Sequence, residues 1–431
     1  MMKIKSLYIL GCMLLVGCKS GTDDQKINPD SLINKTNIYA AYYAGNFGRA
    51  YMLSQAFSEN NSDSVIALGS QGQLPFYYKT SEGSQFKVIK QDQDYNKISD
   101  IIINNSKGDN NNDLYIDIIG ISEGHVLTDE ALSHLKDVFI VPEGTSFFGI
   151  DKGRIDNIIS FSKRAKENGV KNVKIILWDS IDIPKLLKSS AEISRLPNHG
   201  IEFELFNFMD LSKKVKLLHN NEGLLSSAIY TGAINKSITQ GDVFIKNDSF
   251  DENKESVVLL GSYTRNEINT SKTNQIDILK KMESSVDLKK YNIIFKGHPS
   301  EVSVNEWIKD NPSLTSASYF KSFPYELWNV IGGGDHKYIY NGVNYNLFLP
   351  KPPSEIYSIF STALYGEDAN KIKIILGYNK VKLENSEYIL TSEIDRSAVE
   401  DLGEYNRWVD FTKNTNVPFV QAYDWINNIE K

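Results

Sequence analysis

The stretch YNIIFKGHPS, Tyr291 to Ser300, sets an apolar run directly against a lysine, a glycine, a histidine and a proline. Ile293-Ile294-Phe295 has the length and β-branched content of a buried strand. Such a strand delivers Lys296, Gly297, His298 and Pro299 to its C-terminal edge, where open α/β sheets keep their ligand sites. A histidine there titrates near neutral pH and can assist the departure of a leaving group. The plainer alternative is a strand-to-loop junction with one exposed lysine and one incidental histidine.

Other chemistries are excluded by what the chain lacks. It has no GxxxxGK[ST] and no GxGxxG, so phosphate-loop and dinucleotide readings fail. GNFG (Gly45 to Gly48) and GGG (Gly332 to Gly334) read as simple turns. The six histidines show no H-E-x-x-H spacing, and both cysteines lie in the first 18 residues, so no zinc site is expected. DQD, Asp92 to Asp94, has the D-x-D form of a metal-binding acid pair, but it follows KVIKQ rather than a clean apolar strand. No metal and no cofactor are expected.

The elements that would hold such residues alternate along the chain. From Asn37, NIYAAYY leads through the turn AGNFG into RAYMLSQAFS, a strand–turn–helix unit. DSVIALG, LYIDIIG, DVFIVPEG and VKIILWD read as further strands. TDEALSHL begins with Thr128 as a helix N-cap, and KGRIDNIISFSKRAKENG has helical spacing closed by Gly169. FIKNDSFDENKES turns polar and reads as a linker. Beyond it SVVLLGSYTR, YNIIFKGHPS, HKYIYNG and KIKIILGY read as strands, with TNQIDILKKMES and EIYSIFSTALYG as helices. Strand–helix alternation in both halves predicts α/β architecture with parallel sheets; two such Rossmann-like halves facing one another across a cleft would be the GT-B type.

Length agrees, since 431 residues exceed what one core organises. A net charge of −7 argues against a nucleic-acid partner, which wants a basic footprint. The N-terminal MMKIKSLYILGCMLLVGCKS has two early lysines, an apolar stretch from Leu7 to Val16, then Gly17-Cys18. It reads as a secretory signal, too short for a comfortable membrane span. Its end, LVGC, is similar to the bacterial lipobox, which makes Cys18 the expected lipidation site and the first mature residue. Both cysteines, Cys12 and Cys18, fall inside this segment, so the exported body is expected to be stable without a disulfide. The expected organisation is a signal at 1–18, a tether at 19–36, an N-terminal Rossmann-like domain at 37–248 and a C-terminal one at 256–410. Residues 411–431 are too apolar for a loose tail and are expected to pack back on the body.

In order, the C-terminal half offers LLGSYTR, KGHP, SFPYELW and SIFSTALYG. In these motifs the chain resembles the bacterial CMP-sialic-acid-dependent sialyltransferases of glycosyltransferase family 80, which are often membrane-anchored at the N-terminus. The family's marks are a strand-end acid motif, K-G-H-P, an F-E-x-L-like segment and a paired hydroxyl motif. The strongest match is KGHP followed about 30 residues later by PYEL, while PEGT, in the N-terminal half, falls where the acid motif belongs.

The resemblance implies a role for each matching residue. Glu143 in PEGT would be the general base, and His298 would support departure of the CMP phosphate. Lys296, with Gly297 and Pro299, would hold the nucleotide, Glu326 would accept the ribose hydroxyls, and Ser361 with Thr362 would bind the phosphate. The implied reaction is inverting and metal-independent: sialic acid moves from CMP-sialic acid to the terminal galactose or similar sugar of a glycan. The implied setting is the Gram-negative cell envelope, at the outer membrane, with the chain held there by its lipid.

Departures bear on the details. The family's first acid is Pro142 here, and Glu143 stands for its aspartate and reaches one methylene further. An insert, NVIGGGDHKYIYNGVNYNLFLPKPPSEIY, separates PYELW from FSTALYG, so Ser358 rivals Ser361 in the hydroxyl pair. Where the family often stacks the acceptor on a tryptophan, this chain has Tyr263 or Arg265. Two other readings stay open: a GT-B transferase for another nucleotide sugar, and a non-catalytic glycan-binding surface lipoprotein.

Overall fold

Runs of Ile, Val and Leu become strands wherever both faces are covered, and this chain builds two seven-stranded sheets from them. The computed structural model describes residues 36–41, 51–52, 55, 63–68, 86–90, 96–106, 110–124, 127–142, 145–207, 210, 243–262, 267–298, 301–321, 323, 325, 328–329, 332–340, 343–395, 408, 412 and 415–429. All belong to one unit, Lys35–Lys431. The signal, the tether up to residue 35 and Cys18 lie outside the described residues, as do Asp92, Asp94, Glu143, Tyr263, Arg265, Pro299 and Glu326, while Thr36, placed at the end of the tether, opens a strand instead.

The first sheet comprises β1 (Thr36–Ala41), β2 (Asp63–Leu68), β3 (Phe86–Lys90), β4 (Asn112–Asp117), β5 (Leu135–Val141), β6 (Asn172–Trp178) and β7 (Ile201–Phe206). Their order is β3-β2-β1-β4-β5-β6-β7, with every pairing parallel. The register sets Tyr39 beside Tyr115 and Tyr115 beside Phe139. Their rings stack with centroids 4.8 and 4.5 Å apart, an aromatic ladder across the sheet centre. Thr128 caps the helix Asp129–Ser133 through the Ala131 N–H, and Asp151 caps Lys152–Glu167 through the Arg154 N–H. Gly169, at φ +96°, turns the chain out of the second of these helices.

The second sheet comprises β8 (Phe244–Ile245), β9 (Glu255–Leu260), β10 (Tyr291–Lys296) and β11 (Ser318–Phe320). After the hairpin β12 (Gly334–Tyr340) and β13 (Val343–Leu349) come β14 (Glu355–Ser358) and β15 (Ile372–Gly377). A second hairpin, β16 (Asn379–Glu384) and β17 (Glu387–Ile394), precedes β18 (Phe419–Gln421). The sheet order is β18-β15-β14-β9-β10-β11-β8. All its pairings are parallel except that of β8 with β11 at one edge.

Two doubly wound Rossmann-like sheets in succession make the fold α/β of the GT-B type. Among the described residues no helix is long and apolar enough to cross a membrane.

Several local expectations change. EIYS in EIYSIFSTALYG is strand β14, not helix, and only Thr362–Gly366 winds, as a 3-10 turn. The reason is tertiary: Ile356 is fully buried between β9 and β15, and those pairings outweigh helical spacing. HKYIYNG is a strand but pairs with β13 in a hairpin, outside the main sheet. Phe244-Ile245, at the start of the expected linker, adds an antiparallel edge strand to the second sheet. The polar stretch after it is fastened by Asn247 N–H to Ser318 Oγ (3.0 Å) and Asp251 N–H to Asn292 Oδ1 (3.0 Å). FKVIK, before the DQD triplet, is strand β3. LYIDIIG is strand only to Asp117, whose side chain accepts the Gly120 N–H and starts the helix Ile118–Ser122.

Candidate active site

In the second sheet the winding reverses at β9, which has β14 on one side and β10 on the other. Doubly wound sheets hold ligands outside the strand C-termini at such a reversal, because the loops there diverge and leave a crevice. The register puts Lys296, Leu260 and Ser358 in one row across β10, β9 and β14. Lys296 and Ser358 are therefore two strand spacings apart, about 10 Å. The pairing continues one step beyond the strands, with the Gly261 N–H on the Lys296 carbonyl (2.9 Å) and the Ile359 N–H on the Leu260 carbonyl (2.9 Å).

Glycine at two of these strand ends is a packing requirement. A Cβ at Gly261 would stand 2.0 Å from Gln275 Oε1 and 2.9 Å from the Phe295 ring. A Cβ at Gly297 would stand 2.9 Å from the same ring. Phe295 is fully buried beneath both, so the backbone at the edge sits directly on its ring.

Lys296 is buried, and its ammonium donates to the Gly297 carbonyl at 2.5 Å. Gly297 is buried too, whereas His298 is exposed at the tip of the turn. The two residues expected to meet the nucleotide thus play different parts. Lys296 braces the turn from inside, and His298 faces outward.

Ser358 and Ser361, the rivals for the hydroxyl pair, also separate. Ser358 is fully buried at the end of β14; its hydroxyl donates to the Leu260 carbonyl (3.4 Å) and accepts the Ser361 N–H (3.4 Å). Ser361 is half-buried and stands where the 3-10 turn Thr362–Gly366 begins, without using its side chain as a cap. Between them Phe360 has φ +42°, a left-handed conformation that a bulky side chain rarely adopts. Its buried ring is held between Tyr378, Trp408 and Phe419, which fixes the turn that presents Ser361.

A layer of buried polar groups supports the edge. The helix Ile268–Ser285 turns Thr270, Ser271, Asn274 and Gln275 inward in its first half and Ile278, Leu279 and Met282 in its second. Asn274 is bonded both ways to Asn379, donating to its carbonyl (2.8 Å) and accepting its N–H (3.0 Å). The Ser271 hydroxyl donates to the Ser262 carbonyl (3.0 Å), accepts from the Gln275 amide (3.0 Å) and lies 3.3 Å from the Tyr378 hydroxyl. Burial pushes the Tyr378 phenol up to about 12, so it remains a neutral hydrogen-bonding group. These bonds tie the helix start to the ends of β9 and β15.

Glu326 lies outside the described residues, but its neighbours Tyr325 and Asn329 are described and buried. Asn329 donates to Glu367, which follows the 3-10 turn after Ser361. Burial pushes the Glu367 carboxyl above its usual range, against the lowering effect of hydrogen bonds from Tyr325 and Asn329. This contact joins the SFPYELW and STALYG segments.

In the first sheet β5 ends at Val141, followed by buried Pro142 and then by Glu143. Asp117 ends β4, fully buried, with its carboxylate on the Gly120 N–H at 3.3 Å. Glu123 is exposed and meets Arg154 at 3.5 Å.

The structure therefore brings Lys296, Gly297, His298, Ser358 and Ser361 to one sheet edge. Thr362 opens the adjoining 3-10 turn. Sequence reasoning passed over Glu301, Gln275, Tyr378 and Glu367. The available signal was a polar face, Thr270-Ser271-Asn274-Gln275, at the start of an otherwise amphipathic helix.

No protein-family model matches the chain, and no curated protein matches it. Among solved structures, the GT-B domain of a Photobacterium damselae sialyltransferase is similar at 9% identity over 90% of this chain and 100% of that one, with a TM-score of 0.48. A Photobacterium 2,6-sialyltransferase, in complex with CMP and lactose, is similar at 11% identity over 89% of this chain and 78% of that one, also at 0.48. The UDP co-structure of S. aureus MnaA is similar at 10% identity over 92% of each chain, at 0.35.

Proposed function

We propose that the protein is a glycosyltransferase, and specifically an inverting sialyltransferase that moves sialic acid from CMP-sialic acid to a terminal galactoside-type sugar. The observation that carries this reading is the convergence of the KGHP turn and the Ser358–Ser361 turn on either side of β9, where the winding of the second sheet reverses. One turn presents an exposed imidazole and the other a half-buried serine.

In this reading an acceptor hydroxyl oxygen forms a bond to the anomeric carbon of sialic acid as that carbon's bond to the CMP phosphate breaks. The hydroxyl proton passes to the Glu143 carboxylate, and the bonding electrons leave with CMP. His298 and the hydroxyls of Ser361 and Thr362 meet the charge that develops on the departing phosphate, where fixed donors act most strongly. Lys296 keeps the turn in shape, and Glu326 grips the ribose diol. The acceptor sugar would stack on Tyr263 or Arg265. Lipid attachment at Cys18 would hold the enzyme at the cell envelope.

The test measures melting temperature with CMP, UDP and GDP, and CMP release from CMP-sialic acid with and without lactose. Stabilisation by CMP alone and lactose-dependent release are expected, both undiminished in excess EDTA. Stabilisation by UDP or GDP instead assigns another donor. Stabilisation by no nucleotide leaves glycan binding without catalysis. Loss of transfer on chelation, restored by Mn²⁺, brings back the acid pair Asp92 and Asp94.

A further inference from the structure

Glu301 belongs to no motif, yet it is joined to His298 by the backbone. Its N–H donates to the His298 carbonyl at 2.8 Å. The residue is 2% exposed. Oε1 accepts the Val304 N–H (3.1 Å) and the Ser303 hydroxyl (2.5 Å), which caps the helix Ser303–Asp310. Val302, immediately before that helix, offers no side-chain cap of its own. On the other side, the Cβ of Glu301 would stand 3.4 Å from a Cβ at Gly297, so the residue folds back against the start of the KGHP turn.

The carboxylate is an expensive way to cap a helix. A serine, threonine or asparagine caps as well and buries no charge. Here the second oxygen, Oε2, is buried with no hydrogen-bond partner among the described residues. Leaving a buried acceptor unsatisfied opposes folding, so capping alone does not account for this residue. Glu301 holds two neighbours at once: its N–H is on the His298 carbonyl and its Cβ lies against Gly297, while its carboxylate holds the helix start.

We infer that Glu301 is the positioning residue for His298, locking the turn to the helix so that the imidazole meets the leaving phosphate in one orientation. This role rests on the one proposed for His298. Misplacement of a catalytic group by a fraction of an ångström is enough to slow the chemical step while leaving substrate binding intact.

A double-mutant cycle on the full chain tests it, reading kcat, the KM for CMP-sialic acid and the melting temperature. Glu301→Ala is expected to lower kcat by roughly tenfold or more, with little change in KM. In the His298→Ala background the same substitution is expected to change kcat by less than about twofold, because the group it positions is gone. Glu301→Gln, which keeps an oxygen on the Val304 N–H, is expected to recover most of the rate. Equal losses in both backgrounds, or no loss in either, overturn the role of Glu301 alone. A His298→Ala protein that works at the full rate overturns the reading of His298 itself, and the role of Glu301 with it. If Glu301→Ala does not fold, Glu301→Asp, which keeps the charge but shortens the reach, enters the same cycle under the same criteria.

Discussion

The two sheets obey the same winding rule and furnish their points of reversal differently. In the first, β1 and β4 part beside the stacked rings of Tyr39, Tyr115 and Phe139. The acid ending β4, Asp117, has its carboxylate on the N–H of the next turn. In the second, β9 and β14 part beside Gly261, an exposed histidine turn and a half-buried serine, over a floor of Ser271, Asn274, Gln275 and Tyr378. At the first, the rings of the parting strands stack on one another across the sheet. The second has glycine at its strand ends, seated on the Phe295 ring, with a hydrogen-bonded polar layer beneath. Glycine lets the edge backbone settle onto that ring, and the bonded polar layer fixes the strand ends around it.

The largest effects should divide along this contrast. Glu143→Gln, in the first half, is expected to lower transfer by about two or more orders of magnitude, the usual scale for losing a general base. Donor binding should be unchanged, a loss confined to the transition state. His298→Ala is expected to cost about as much. CMP titration of both variants beside transfer rates checks the pair. If Glu143→Gln abolishes CMP binding, donor recognition is not confined to the second sheet, and Asp117 and Glu123 become the next acids to test.

A smaller effect should separate two serines three residues apart. Ser361→Ala is expected to weaken donor binding by roughly tenfold, one charge-assisted hydrogen bond, with little change in melting temperature. Ser358→Ala is expected to do the reverse, destabilising by about 1 kcal/mol through its bonds to the Leu260 carbonyl and the Ser361 N–H. Denaturant unfolding and donor KM, measured on both, decide. The opposite pattern would give the phosphate to Ser358.

The smallest effect concerns pH. Burial raises the Glu367 carboxyl, so folding favours its protonated form. The stability this contributes is complete below the carboxyl's unfolded value, about 4.3, and is lost as pH rises through the raised folded value. Glu367→Gln has no such proton to lose. Its melting temperature relative to the parent is therefore expected to rise with pH across that window and then level off. A constant difference between the two proteins from acid to neutral pH would show that Glu367 does not titrate in the fold.

Much of the scaffold is legible in the sequence because it depends on short-range pattern. β-branched runs between turn residues mark β1, β2, β4, β5, β6, β9, β10 and β15, and Thr128 marks its helix start through a local capping bond. EIYS defeats such reading because its four residues fit either periodicity, and only the flanking partners β9 and β15 make it a strand. Phe244-Ile245 looks like linker because a two-residue edge strand has no period to detect.

The candidate site divides in the same way. KGHP is visible because its residue types suit the proposed chemistry, and the strand before it announces where they go. Nothing local distinguishes Ser358 from Ser361, or marks Glu301 among the chain's other acids. Those distinctions rest on contacts between residues far apart in sequence, such as Ser358 with Leu260 and Tyr378 with Ser271. Strands, turn chemistry and the order of the motifs follow from neighbours along the chain, and are therefore set by the amino acids in their written order. Which hydroxyl is consumed internally and which faces outward is set by packing alone, because burial and hydrogen-bond partnership belong to the assembled sheet and not to any one segment of it.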